Sequence, residues 1–300
     1  MLASPIQLRA EITSGYVDPY RKSNCGTLNS ACLPVATLLN GSALPLPMIW
    51  NSNCPRESQA LAGSGGLTDK GAGFSNAIVK NLPTDDFIAM KNRMVPMLLK
   101  SGEVMEAAGE QTRAVYFIER GFASMLTPLR GGRRIGIGYV GREGVASVHA
   151  ALGAEINAYD LVMQCDGLVL KVELATIRKL MSISEGLQRA LFDVANRLHR
   201  QVAQTAACNA SHEVVQRLAR WLLMAHDRLD GDTIAITHEV LALMLGSTRP
   251  GVTIAAGALQ KAGLIRYVRG HLTVVDRVGL EQAACECYAI VVNFPEKSAA

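Results

Sequence analysis

The apolar residues of this chain change their spacing near residue 184, and no other feature limits the fold as strongly. Before this point, short apolar runs alternate with glycine-containing breaks over residues 95–175, which is typical of antiparallel strands in a sandwich or barrel. After it, apolar residues recur every three or four positions, which is typical of an amphipathic helix. The sequence therefore predicts an α+β fold in which a sheet domain precedes a set of helices.

The first of these helices is predicted over residues 184–210 and carries a narrow apolar stripe. A stripe of this width is typical of a coiled-coil seam, so the same helix of a second copy is its expected cover. The predicted dimerisation residues are Leu187, Leu191, Val194, Leu198 and Val202. The alternative, in which the stripe packs on the chain's own sheet domain, stays open.

The ends of the chain carry no predicted targeting or membrane segment. Residues 1–75 are rich in proline, glycine and serine and lack periodicity, so an irregular or disordered extension is predicted there, with a short tail over 291–300. Residues 1–22 hold no apolar run typical of a signal peptide, and no window supplies the roughly 20 apolar residues of a membrane span. We therefore expect a cytoplasmic protein with no membrane partner.

Residues 237–262 show the pattern of two short helices joined by a tight turn. Thr237 opens the first helix, Gly246 can adopt the positive φ of the turn, and Pro250 lies in the first turn of the second helix, where no backbone donor is lost. A predicted hairpin over residues 264–275 occupies the place where a winged helix carries its wing. The pattern predicts a winged helix-turn-helix, although a bare pair of helices also serves as a structural corner in other proteins.

Positive charge is concentrated on this predicted element. Residues 246–277 contain five basic residues against Asp276 as the one acidic residue, a surplus that suits double-stranded DNA. Arg249 is the predicted base contact, through two hydrogen bonds to guanine. Three further residues at the start of the second helix are expected to reach base edges or flanking phosphates: Ser247, Thr248 and Thr253. The predicted contacts to phosphates or the minor groove are Lys261, Arg266, Arg269 and His271.

Several segments together carry a resemblance to one known family. They are residues 81–87 (NLPTDDF), 115–121 (VYFIERG), 141–144 (GREG), 217–223 (RLARWLL), the helix-turn-helix over 236–265 and the stretch 280–288 (LEQAACECY). In this order they are similar to the Crp/Fnr superfamily of bacterial transcription factors. The resemblance implies a double-stranded β-roll (jelly-roll) sensor domain over 76–183, a dimerisation helix over 184–210 and a winged helix-turn-helix over 211–290. It also implies a homodimer that binds a pseudo-palindromic operator, with RNA polymerase as a further partner.

Two departures from the family pattern affect the expected ligand and operator. Members that bind cyclic nucleotides place a Gly-Glu pair before an arginine that clamps the phosphate, and Gly141, Arg142 and Glu143 are the candidate effector-pocket residues here. The following segment, residues 155–160, has no arginine and ends in Asp160, so we expect no cyclic-nucleotide binding and either an unknown effector or none. Among the base-reading residues of the family only Arg249 is kept, so the operator should differ from the family consensus.

Two other function classes were weighed against this interpretation. Residues 136–141 (GIGYVG) match a dinucleotide-binding loop, but the preceding residues 130–135 are basic and glycine-broken where a buried strand is needed, which disfavours an NAD-linked oxidoreductase. A signalling or dimerisation module that does not bind DNA is the second alternative, and the basic surplus argues against it. No nucleophile elbow or phosphate-binding loop occurs, so no enzyme is predicted.

Neither a metal nor a cofactor is predicted. The spacing of Cys25, Cys32 and Cys54 fits no zinc or iron–sulfur pattern, and the histidines have no matching cysteine or carboxylate set in the sequence. Cys285 and Cys287 are expected to pack rather than to bind a metal.

Overall fold

The computed structural model describes residues 73–293. The predicted extension over 1–75 and the tail over 291–300 lie outside the described residues apart from their inner ends, as do Cys25, Cys32 and Cys54. The described part of the chain has the predicted α+β fold, with antiparallel sheets first, then a long helix and a helical C-terminal half.

The N-terminal half is a sandwich of two sheets. Its elements are α1 (Ala77–Asn81), α2 (Thr84–Lys91), β1 (Val95–Leu99), β2 (Val104–Glu106), β3 (Ala114–Arg120), β4 (Ala123–Pro128), β5 (Arg134–Val140), β6 (Val145–Ala146), α3 (Val148–Ala151), β7 (Asp160–Met163), β8 (Gly167–Glu173) and α4 (Leu174–Met181). The four-stranded sheets have the orders β1-β8-β3-β6 and β2-β7-β4-β5. Along β3, Tyr116 and Ile118 pack in the cluster that holds Met125 and Leu161 of the other sheet. This is the sandwich that the short apolar runs predict.

The apolar stripe of the long helix α5 (Glu185–Ser211) covers this sandwich. Its members are Leu187, Leu191, Val194, Leu198 and Val202. The first three are fully buried in one cluster with Val115 and Phe117 of β3, and the last two are partly buried against the same half. The alternative left open is therefore the one observed for Leu187, Leu191 and Val194, whereas the dimer seam along the stripe as a whole stays a prediction. The physical reason is that the apolar outer face of β3 needs the helix as its cover.

The C-terminal half begins after α5. Its elements are α6 (Val214–His226), β9 (Thr233–Ala235), α7 (His238–Leu245), α8 (Arg249–Lys261), β10 (Ile265–Val268), β11 (His271–Val274), α9 (Arg277–Ala283) and α10 (Cys287–Val292). The predicted hairpin is β10 and β11, and β9 adds a third antiparallel strand in the order β10-β11-β9. Leu222, Leu241, Val252 and Leu272 are buried together beneath these elements.

Aromatic rings and a glycine join the two halves. Trp221 of α6 lies edge-on to Phe122 and Tyr139 of the sandwich, with ring centroids 6.3 and 6.1 Å away. Gly136 of β5 lies against α7, because a Cβ at this position would stand 2.8 Å from the backbone oxygen of Met244. Gly136 and Gly138 of the GIGYVG segment therefore belong to an antiparallel strand against which a helix packs, and Gly141 follows its end. The described sheets are all antiparallel and contain no parallel βαβ unit, so the dinucleotide-binding alternative has no structural basis in residues 73–293.

Within the described range, no single helix is long and apolar enough to cross a membrane. The pair α7 and α8 reaches that composition only jointly, and the two are bent by 103° at the turn between them.

Candidate nucleic-acid interface

The turn between α7 and α8 is built by three short-range features of the sequence. The Thr237 hydroxyl caps α7 by accepting a hydrogen bond from the Val240 N–H at 3.3 Å. Gly246 ends α7 with φ +56°, a left-handed conformation that favours glycine. The Thr248 hydroxyl then caps α8 by accepting from the Gly251 N–H at 3.2 Å. These features hold α8 against α7 as the second helix of a helix-turn-helix.

The face of α8 turned away from the core is long and almost free of bulky residues. Arg249, Thr253 and Lys261 lie on it and are exposed, with Gly257 between them. Ile254 lies on the same face with 74% of its surface exposed. Such a face can enter a groove of duplex DNA without steric obstruction, with a cation at each end.

Arg249 already has a partner on α7. Its Nε lies 2.5 Å from Oε1 of Glu239, while most of its side chain stays exposed. An exposed ion pair of this kind contributes little to stability. The guanidinium is therefore oriented at the start of α8 and can exchange the carboxylate for another acceptor.

Thr253 is held by its neighbours. Its hydroxyl donates to the backbone oxygen of Arg249 at 3.0 Å and lies 2.9 Å from Nδ1 of His238. Because a hydroxyl has one proton to donate, this arrangement requires Nδ1–H of His238 as the second donor. The His238 ring also stacks on Tyr267 at a centroid distance of 4.4 Å, and burial lowers the pKa of its imidazole. Thr253 thus ties α8 to α7 and to the hairpin.

The tip of the β10–β11 hairpin presents Arg269 in an uncommon backbone conformation. Arg269 and Gly270 form a two-residue turn with φ +49° and +82°, the signs of a type I′ turn. Asn or Gly is the usual residue at the first of these positions, so an arginine there is strained. Arg266, Arg269 and half-buried His271 line one surface of the hairpin.

The remaining predicted residues differ in how available they are. Ser247 is half-buried at the turn, and Thr248 uses its hydroxyl as the cap. In the described part of the chain no carboxylate forms an ion pair with Lys261, Arg266 or Arg269.

Arg277 is one of the five basic residues counted over residues 246–277, but its charge is already paired within the protein. Its guanidinium pairs with Asp227 at 2.6 Å and with Glu281 at 3.1 Å, and it donates to the hydroxyl of Tyr288 at 2.7 Å. These contacts hold α9 and α10 against α6. Arg277 therefore does not count among the positive charges of the helix and hairpin that are available to a polyanion.

The candidate effector residues connect the sandwich to the C-terminal half. Oε1 of Glu143 accepts hydrogen bonds from Arg228 Nε at 2.8 Å and from the Gly141 N–H at 3.2 Å. Burial raises the pKa of the Glu143 carboxyl, but the Arg228 charge and the hydrogen bonds to the carboxylate together outweigh this, so the pKa is lowered overall. Arg142 pairs with Asp230 at 2.9 Å. Glu143 and Arg228 also line a cavity of about 430 Å³ between β5, α5 and α10.

Asp160, which ends the segment where the resemblance implies a phosphate-binding arginine, forms an ion pair. Asp160 is buried, and its Oδ2 lies 2.5 Å from Nε of Arg134 while its Oδ1 accepts from the Ala108 N–H at 2.8 Å. Arg134 comes from β5, so this pairing was not visible from the segment 155–160 alone. A phosphate would have to displace the Asp160 carboxylate from its only cationic partner among the described ion pairs.

Sequence reasoning missed three residues that shape this interface. Ile254 is absent from the predicted contacts, although it lies next to Thr253 on the exposed face of α8. His238 contacts Thr253 and Arg228 contacts Glu143, and no local sequence pattern predicts either contact between residues this far apart.

Comparisons with known proteins agree on this architecture. Residues 216–283 match the family described as the Crp-like helix-turn-helix domain. The transcriptional regulator LdrP of Thermus thermophilus is 27% identical over 192 residues, which cover 61% of this chain and 93% of LdrP. FixK2 from Bradyrhizobium japonicum matches with a TM-score of 0.57 at 17% identity, over 64% of this chain and 98% of that chain. A CRP-family transcriptional regulator of Thermus thermophilus gives a TM-score of 0.55 at 22% identity, over 63% and 96%. These two structures share the fold of this chain.

Proposed function

We propose that this chain, a Crp-family transcriptional regulator by its helix-turn-helix domain and its fold, binds a pseudo-palindromic operator as a homodimer. The observation that carries the proposal is the open face of α8, with Arg249 at its start, Lys261 at its end and the hairpin cations beside it. In a dimer the two α8 helices would enter successive major grooves about 34 Å apart. RNA polymerase is the further partner that a regulator of this kind would contact.

The open face divides into base-reading and phosphate-binding residues. Arg249 is proposed to bond O6 and N7 of guanine after leaving Glu239, and Ile254 to contact a thymine methyl group. Lys261, Arg266 and Arg269 are proposed to contact phosphates, with His271 beside them. The start of α8 would be positioned against the DNA phosphates by Ser247, Thr248 and Thr253. Two of these hydroxyls already have partners in the protein, because Thr248 caps α8 and Thr253 contacts His238.

The dimer is proposed to form through an exposed face of α5 that lies about 120° around the helix from its buried stripe. Exposed residues recur there at alternating steps of four and three, which is a heptad spacing: Phe192, Asn196, His199, Ala203, Ala206 and Ala210. The three alanines allow two helix backbones to approach closely. Phe192 is 46% exposed in the single chain and would be covered by its counterpart.

The sensor half is proposed not to bind cyclic nucleotides. Two ion pairs support this: Asp160, at the position where the resemblance implies a phosphate-binding arginine, pairs with Arg134, and the Glu143 carboxylate is held by Arg228. Replacing either contact with a cyclic phosphate would leave a buried charge without its partner. The cavity beside Glu143 is the place where a different effector would bind, if the protein uses one.

Replacement of Arg249 by alanine is expected to weaken operator binding by about 1–3 kcal/mol and to relax one base position in each half-site. Fluorescence anisotropy with single-base variants of an operator selected from random duplexes measures both effects. Lys91→Asn, which removes an exposed charge from α2, is the matched control and should leave the affinity unchanged. Loss of affinity without any change in base preference would contradict the base-reading role.

Replacement of Arg269 by asparagine is expected to weaken binding to all duplexes equally while stabilising the fold by about 1 kcal/mol, because asparagine tolerates the left-handed turn. The logarithmic dependence of affinity on salt should become shallower by about one unit per lost phosphate contact. Titrations of mixed-sequence duplexes of about 30 base pairs over a salt series test this. Unchanged affinity and salt slope would remove the hairpin from the interface, and no measurable duplex binding by the native chain would favour the non-DNA signalling module.

A further inference from the structure

Three cysteines and a histidine meet where the end of α5 contacts the C-terminal helix. Cys208 and His212 lie one helical turn apart at the end of α5, and Cys285 and Cys287 lie just before and at the start of α10. One ligand atom from each of the four lies within 4.8 Å of all the others. The three cysteines are buried and the histidine is half-buried. The expectation that no histidine has a matching cysteine set is therefore wrong for His212, whereas the expectation that Cys285 and Cys287 pack rather than bind a metal stays a prediction.

We propose that these four residues bind one zinc ion as a Cys₃His site. A tetrahedral zinc ion with Zn–S bonds of about 2.3 Å places its ligand atoms about 3.8 Å apart. The Sγ atoms of Cys208 and Cys285 are 3.5 Å apart, and so are Sγ of Cys287 and Nδ1 of His212. Ligand atoms this close suit a single ion, whereas an iron–sulfur cluster needs them spread over several irons.

The neighbours of the four ligands have the contacts that metal ligands require. With Nδ1 of His212 facing the sulfurs, its Nε2–H faces Oε1 of Glu286 at 3.2 Å, the carboxylate–histidine arrangement that orients ligating imidazoles. Nε2 of Gln204 donates to Sγ of Cys287 at 2.9 Å. Such outer contacts fix the ligands before the ion binds.

A buried cation balances the charge of the site. Zinc with three thiolates and a neutral imidazole carries one net negative charge, which is costly to bury alone. Arg220 of α6 is buried and donates to Oγ1 of Thr205 at 3.1 Å, one turn before Cys208. The site therefore offers cysteine ligands and, in Arg220, a counter-charge.

The ion would fasten the C-terminal helix to the long helix. Cys208 and Cys285 are 77 residues apart in sequence, and the helix-turn-helix and its hairpin lie between them. A bond network across this distance would hold α10 on α5. This role is separate from the DNA-binding surface, so it does not depend on which bases the protein reads.

The test measures metal content of the full chain. The protein is purified under reducing conditions from medium that contains both zinc and iron, dialysed, and analysed by plasma mass spectrometry. About one zinc per chain and no stoichiometric iron are expected. Cys208→Ser and Cys285→Ser should each lose most of the zinc, whereas Cys165→Ser, near the β3–β4 turn, and the combined Cys25, Cys32 and Cys54 serine variant should retain it.

Two further measurements keep the outcome decisive if a serine variant fails to fold. His212→Cys supplies a fourth thiolate and should retain zinc, while the native chain loaded with Co²⁺ should show the visible bands of a tetrahedral thiolate site. A native chain that retains no zinc and does not compete with a chromophoric chelator for it would overturn the proposal. So would full zinc retention in Cys208→Ser and Cys285→Ser, or a cluster absorbance with stoichiometric iron.

Discussion

Replacement of Leu191 by lysine should unfold the N-terminal half of the protein and not simply separate two subunits. Leu191 is fully buried against the sandwich, so a lysine there would lose its apolar contacts and bury a charge without a partner. We expect the free energy of unfolding to fall by about 4 kcal/mol or more. Chemical denaturation followed by circular dichroism at low protein concentration measures this loss.

The next residue in the chain is the matched control. Phe192 is exposed about 100° around α5 from Leu191, so Phe192→Lys should leave the fold of the single chain intact and should separate the dimer proposed above. Sedimentation at several concentrations distinguishes the two variants. If the Leu191→Lys chain stays fully folded but becomes monomeric, the dimer interface is the buried stripe. If the Phe192→Lys chain stays dimeric, the dimer interface is at neither of these faces.

Replacement of Trp221 by alanine should destabilise the protein by about 3–5 kcal/mol, because it removes a large, fully buried side chain. The ring lies edge-on to Phe122 and Tyr139, and such aromatic pairs add to the loss. Since these two rings belong to the sandwich and Trp221 to α6, the substitution also removes the main aromatic contact between the halves. Thermal unfolding monitored by calorimetry gives the size of the effect.

Ile183→Ala is the control for this loss, because Ile183 is an apolar side chain that is 74% exposed. It should change the free energy of unfolding by no more than about 0.5 kcal/mol. If Trp221→Ala is equally mild, the two halves are held together by other contacts, such as the Arg228–Glu143 pair.

The order of the elements could be predicted because each depends on local pattern. Short apolar runs predict the strands of the sandwich, and Thr237, Gly246 and Pro250 predict the helix-turn-helix through capping and backbone conformation. Such signals act over a few residues. They do not depend on what packs against them.

What packs against the apolar face of a helix could not be predicted from local pattern in the same way. The stripe that contains Leu191 has the same spacing whether its cover is a second helix or β3, and only the outer face of β3, with Val115 and Phe117, decides. The pairing of Asp160 with Arg134 and that of Cys208 with Cys285 join residues that are far apart in sequence. The local signs of the cysteine cluster are two short spacings, Cys208 to His212 and Cys285 to Cys287, and neither shows that the two pairs meet.

The central claim is that the chain reads a two-fold symmetric DNA sequence. Selection from random duplexes with the full chain, at about 0.15 M salt and without added nucleotide, tests it most directly. The account predicts enrichment of an inverted repeat whose half-sites lie about 10 base pairs apart, with one position in each half relaxed when Arg249→Ala is used instead. Failure of the folded native chain to enrich any sequence, or enrichment of the same sites by Arg249→Ala, would contradict it.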